Sequence, residues 1–107
     1  MKNKSKVKFR DRDCIIRAWK YVNGNLAIEL VEAETNEHLT TCTVNVGKIR
    51  DALKAVAVKD YAENEGMLDF LKRIGLVGKT LYTQQSGFVV VPVVELTKSG
   101  QELFGIE

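Results

Sequence analysis

The stretch KDYAENEGMLDFLKRIGL, residues 59–76, carries both start and stop signals for a helix, and the rest of the chain reads as strands arranged around it. Asp60 suits an N-cap, because its carboxylate can accept from backbone N–H groups that lack partners in the first turn. Glu63 stands three residues on and completes a D-x-x-E capping box. Asp60, Glu63 and Glu65 place negative charge at the positive end of the helix dipole, and Lys72 and Arg73 place positive charge at its other end. Leu68 and Leu71, flanked by Met67 and Ile74, form one apolar stripe. Gly75 fits the left-handed position after the last turn, with Leu76 closing a Schellman-type stop. The spacing therefore predicts a helix over about 60–75.

Gly66 is discordant, since glycine inside a helix costs roughly 1 kcal/mol relative to alanine. Either it permits close approach of a neighbour, or Asn64 is the true cap and Gly66 lies in the first turn. Asn64 projects on the side of Leu68 and Leu71, which favours a buried structural amide over a catalytic one.

The chain has 107 residues, 45% hydrophobic and 28% charged, which is ordinary for one globular domain. Residues 1–6 read as a flexible basic tail and residues 7–107 as a single α+β domain. No apolar run is long enough to span a bilayer, and no signal-peptide pattern follows the basic start. A cytoplasmic protein with no membrane partner is expected, with Cys14 and Cys42 as reduced core residues. Net charge is +2 but uneven. Residues 1–20 hold eight Lys/Arg against two Asp, a net +6, and the remainder eight against twelve, a net −4.

Residues 14–22 alternate, with Cys14, Ile16 and Ala18 on one face and Ile15, Arg17, Trp19 and Tyr21 on the other. Asn23-Gly24 supplies a tight hairpin turn. Leu26, Ile28 and Leu30 point inward from the next strand, and Cys42, Val44 and Val46 from a third over 39–46. Between Gly47 and Lys59 a helical turn or loop up to Ala55 is expected, with Ile49, Leu53 and Val56 at helical spacing, then an edge strand. Residues 79–84 form a strand, 85–87 a turn, and Phe88–Leu96 a last strand that is apolar on both faces. Pro92 marks an edge, a bulge or the end of pairing. So apolar an edge must be covered, either by Leu103, Phe104 and Ile106 of the C-terminal segment or by a second copy, giving a homodimer through Phe88–Leu96. The sum is an α+β fold: a mostly antiparallel sheet of five or six strands with one main helix packed on one face.

Catalytic chemistry is poorly represented. His38 is the only histidine and reads as a solvated turn residue; with two cysteines, a zinc site is excluded. No phosphate loop or nucleophile motif occurs, so the chain is expected not to be an enzyme and to need no metal or cofactor. Two surfaces offer binding instead. An acidic one comprises Asp60, Glu63, Asn64, Glu65, Gly66 and Asp69 with Glu29 and Glu32, and suits a protein partner. A basic and aromatic one comprises Lys8, Arg10, Arg12, Arg17, Trp19, Lys20 and Tyr21, and suits single-stranded nucleic acid.

Three segments, LAIELVEAETNEHLTTCTVNV (26–46), VKDYAENEGMLDFLKRIGLV (58–77) and SGFVVVPVVELT (86–97), resemble a family of small proteins of unknown function encoded by bacterial phages and mobile elements. The matching features are Thr43-Val44-Asn45 and the helix start Lys59-Asp60-Tyr61-Ala62-Glu63-Asn64-Glu65-Gly66. Residues 48–55 depart from it, being helix-prone where members tend to have a Pro-rich loop. The resemblance implies an accessory protein of a phage or integrative element, acting on a host-defence component or on nucleic acid, and assigns no catalytic residue.

Overall fold

The computed structural model describes residues 6–51 and 54–105. Two antiparallel sheets replace the single sheet expected. The first has the order β1-β2-β3-β4, built from Lys6–Phe9, Arg12–Lys20, Leu26–Glu32 and His38–Thr41. The second has the order β5-β7-β6, built from Ala55–Ala57, Val89–Leu96 and Val77–Ser86. The class is α+β, with a three-residue 3₁₀ turn at Ala62–Asn64 and two short helices, α1 (Met67–Arg73) and α2 (Lys98–Leu103). No helix among the described residues is long and apolar enough to cross a membrane. Residues 1–5 of the expected tail lie outside the described residues, and Lys6 opens β1 rather than ending the tail.

The alternation in β2 and β3 produces the inner face of the first sheet. Cys14, Ile16, Leu26, Ile28 and Leu30 are all buried there. Facing them are Val56, Val58, Val77, Val94 and Leu96 of the second sheet region, with Met67, Phe70 and Leu71 of α1 closing the same cluster. The hairpin between β2 and β3 is wider than a two-residue turn. Tyr21 N–H donates to Asn25 O at 2.9 Å and Gly24 N–H to Tyr21 O at 2.8 Å, with Gly24 at φ +91°. This is the three-residue loop that ends in a left-handed residue.

The third strand ends earlier than expected. β4 stops at Thr41, and the chain then crosses from one sheet to the other. Cys42 N–H still donates to Ile28 O at 2.7 Å, but Val44 N–H donates to Ala57 O at 3.0 Å and Thr43 bridges Val58. At the crossing, the Thr43 hydroxyl accepts Ile28 N–H at 3.2 Å. A side chain thus satisfies a buried donor that the departing strand has left behind.

β7 is the central strand of its sheet, which corrects its reading as an edge. Burial on both faces is borne out over Val91–Leu96, where apolar layers lie on either side, whereas Phe88 and Val90 at the start of the run are exposed. Val94 and Leu96 join the main core, whereas Val91 and Val93 pack with Val46, Ile49, Ala55 and Ala57 in a second cluster. The covering loop is held by Asn25, whose Nδ2 lies 3.1 Å from both Val46 O and Gly47 O, and whose Oδ1 accepts Ile49 N–H at 2.9 Å. Pro92 is tolerated because its carbonyl accepts Val58 N–H at 3.0 Å, just past the end of β5. Its missing N–H lies on that same side, beyond the short strand's ladder. In the expected helical turn over 47–55, Ala52 and Leu53 lie outside the described residues; Lys54 N–H donates to Asp51 O at 2.7 Å in a turn just before β5. The C-terminal segment does cover the core: Leu103 and Phe104 pack on the main cluster, although Ile106 lies outside the described residues.

The helix predicted over 60–75 is shorter, spanning Met67–Arg73, and Gly66 is the reason. It adopts φ +93° as the residue before the helix, a left-handed conformation that glycine takes without a Cβ penalty. Asp60 does cap the helix, but across a loop: its Oδ1 accepts from both Gly66 N–H and Leu68 N–H at 3.0 Å. Glu63 does not complete a capping box, because it pairs with Lys59. The stop is as expected. Gly75 sits at φ +83°, Leu76 N–H donates to Leu71 O and Gly75 N–H to Lys72 O, both at 3.0 Å.

Asn64 is buried and joins the turn before α1 to β4. Its Oδ1 accepts from the Thr40 hydroxyl at 2.6 Å, and its Nδ2 donates to Thr41 O at 2.7 Å. Replacing Asn64 by Ala is expected to lower unfolding free energy by about 1–3 kcal/mol, because it removes two hydrogen bonds of a buried amide and leaves the part-buried Thr40 hydroxyl and Thr41 carbonyl without that partner. Urea unfolding of both proteins checks this, and equal stability would remove the role assigned to the amide.

Cys42 offers a second test. Burial, assisted by neighbouring Cys14, pushes its thiol from 9.0 up to about 12. The folded state therefore resists ionisation that the unfolded chain undergoes freely. The stabilisation is whole below the unfolded value of 9.0 and is lost as pH rises toward the folded value. Urea unfolding between about pH 8 and about pH 11 should show a shallower alkaline loss for Cys42→Ala than for wild type, whereas parallel losses would refute it.

Candidate binding groove

The outer face of the first sheet follows from strand period alone. With Cys14, Ile16 and Ala18 turned inward, Ile15, Arg17 and Trp19 must face out. Trp19 stands opposite Ala27 in the ladder and keeps 44% of its surface exposed. Tyr21 meets it edge to face, with ring centroids 4.9 Å apart and planes at 71°. The Tyr21 hydroxyl is 3.3 Å from Thr43 Oγ1, which ties the aromatic pair to the crossing between sheets.

Across from this pair, the extended segment after Val58 places Lys59 and Tyr61 on one side, as a two-residue spacing requires. Lys59 Nζ lies 5.6 Å over the Tyr61 ring and 2.6 Å from Glu63 Oε2. That hydrogen bond raises the Lys59 pKa and lowers that of Glu63, so both remain charged around neutral pH. Between the two walls runs a groove of about 410 Å³, lined by Trp19, Tyr21, His38, Thr41, Lys59 and Tyr61 among others. His38 is held at the rim, its Nδ1 2.8 Å from Glu29 Oε2, while Arg17 Nε lies 4.0 Å from the other oxygen of Glu29.

The basic and aromatic residues picked out from the sequence separate into three groups. Lys8, Arg17 and Trp19 share the outer face, with Tyr21 at its end. Arg12 and Lys20 occupy strand ends with the opposite parity, though both are exposed. Arg10 serves the fold: in a turn at φ 50°, its Nη2 donates to Glu65 O at 2.9 Å, and its guanidinium lies 4.8 Å over the Phe9 ring. The Lys8–Asp13 pair, 3.8 Å apart and well exposed, contributes little to stability.

The acidic residues are mostly engaged. Asp60 caps α1, Asn64 is buried, Gly66 turns the backbone, and Glu32 accepts from the Thr35 hydroxyl at 3.2 Å. Glu63 lines the groove and Glu29 is bonded to His38 beside it, but each faces a cation or potential cation. Glu65 and Asp69 are exposed and form no ion pair among the described residues. No group of three or more His, Cys, Asp or Glu side chains that could hold a metal is found among the described residues. Sequence reasoning missed Lys59, Tyr61 and Thr43. The signal for Lys59 and Tyr61 was their two-residue spacing, which is obscured when the segment is read as helix.

The groove thus offers three aromatic rings, a lysine and a rim histidine on a sheet face. Such a surface can stack a flat ring and meet an anion beside it. No protein-family model, no curated protein and no solved structure matches this chain.

Proposed function

We propose that this chain is a non-enzymatic binding protein whose ligand is single-stranded nucleic acid, with bases stacking in the aromatic groove. The observation that carries the reading is the Trp19–Tyr21 pair, half-exposed beside Tyr61 and Lys59 on an open sheet face. Bases of any sequence have a flat face to offer such rings. Lys6, Lys8 and Arg17 continue along the same face and supply positive charge for the phosphates.

Trp19 is the only tryptophan, so its fluorescence reports on the groove directly. Titration with a single-stranded oligonucleotide is expected to quench it. Binding should weaken with salt with a log–log slope of about −2, for three phosphate contacts at roughly −0.7 each. Trp19→Ala should cost about 1–3 kcal/mol of affinity, measured by anisotropy of a labelled oligonucleotide. Unquenched fluorescence, or unaltered affinity in the variant, defeats the proposal.

A second reading is a protein partner, in keeping with an accessory role in a phage or mobile element. Its support is the exposure of Glu65 and Asp69 outside any ion pair among the described residues. Reversing both charges should then abolish capture of that partner from a host lysate; capture that survives the reversal rules the surface out.

A further inference from the structure

With β7 central, the free edge of the second sheet belongs to β6, since no described strand pairs with its outer side. A strand with one neighbour leaves alternate N–H and C=O groups pointing away from the sheet, ready to pair with another strand. Such edges are usually guarded by charge, by proline or by bulges. Here the ladder shifts register between Val77 and Tyr82, which guards the first half. From Tyr82 to Ser86 the pairing is continuous, from Tyr82 opposite Val93 to Ser86 opposite Val89. That half has no guard. Residues 80–94 contain no charged side chain, in a chain that is 28% charged. Around the strand, Leu81, Tyr82, Phe88 and Val90 are all exposed large apolar residues, Phe88 completely so.

We propose that a second copy of this chain pairs antiparallel along β6, joining the two three-stranded sheets into one of six strands. The occupant follows from self-complementarity. A two-fold axis at Gln84 sets Tyr82 against the partner's Ser86 and Thr83 against the partner's Gln85, so no charge meets a like charge. It also brings Phe88, at one end of the free edge, level with the partner's Leu81, at the other. Each copy supplies one half of two identical apolar contacts, as an isologous interface requires. The groove around Trp19 lies on the other sheet, so the pairing is independent of nucleic-acid binding.

Sedimentation velocity of the full chain over a range of concentrations is the test. Wild type should sediment as a dimer in reversible exchange with monomer. Gln84→Lys places two ammonium groups across the axis and should raise the dimer Kd by about tenfold or more. An equimolar mixture of Gln84→Lys and Gln84→Glu should restore the dimer as a heterodimer. Phe88→Ser, at a side chain with no burial to lose, should weaken the dimer while circular dichroism melting stays unchanged, so the test survives if the Gln84 variants fail to fold. A wild type that stays monomeric throughout overturns the proposal. So does a dimer that neither Gln84→Lys nor Phe88→Ser weakens.

Discussion

Everything in this fold hangs on the two residues where the chain passes from one sheet to the other. Cys42 still bonds Ile28 of the first sheet, and its own carbonyl accepts Lys59 N–H at 2.8 Å. Thr43 bridges Val58 while its hydroxyl takes Ile28 N–H. Both side chains are buried, so any donor left unmade here would carry its full desolvation cost. The crossing closes the two sheets over one core. It also brings Lys59 and Tyr61 opposite Trp19 and Tyr21, so the groove exists because of the same contact that completes the core.

Much of this was legible because it is local. Strand alternation in residues 14–20 and 26–32 separates core from outer face without any knowledge of partners. The stop at Gly75 follows from a left-handed glycine and the apolar residue after it. The buried amide of Asn64 follows from its place on an apolar side. What was not legible depends on separation in sequence. Asp60 caps a helix eight residues away because the intervening turn folds back, and a period-based reading sees only a carboxylate at a plausible start. Likewise, the apolar run over 88–96 announces burial on both faces but not which strands flank it. Its central position depends on β5, three residues long and preceded by a helix-prone segment.

The candidate site divides along the same line. Arg17, Trp19 and Tyr21 were accessible to inspection because one strand supplies them. Lys59 and Tyr61 were hidden, since the K-D-Y-A-E-N-E-G segment reads as a helical turn, whereas Tyr61 has extended backbone at φ −149° and ψ 171°. The acidic residues divide for a related reason. A run of carboxylates in sequence says nothing about which of them the fold consumes, and Asp60, Glu63 and Glu29 each have a structural partner.

The two sheets are unequal in what they leave exposed. The first carries its exposed charge and aromatic rings on a face, where strand pairing plays no part and side chains alone are presented. In the second, β5 and the Val91–Leu96 part of β7 lie between the main core on one side and the loop held on Asn25 on the other, while β6 is exposed from Lys79 to Thr83. Its free edge lies at β6, where the backbone itself can act as the recognition element. A sheet grows laterally by pairing along a free edge, and β6 is the side on which such pairing is unobstructed by any described strand.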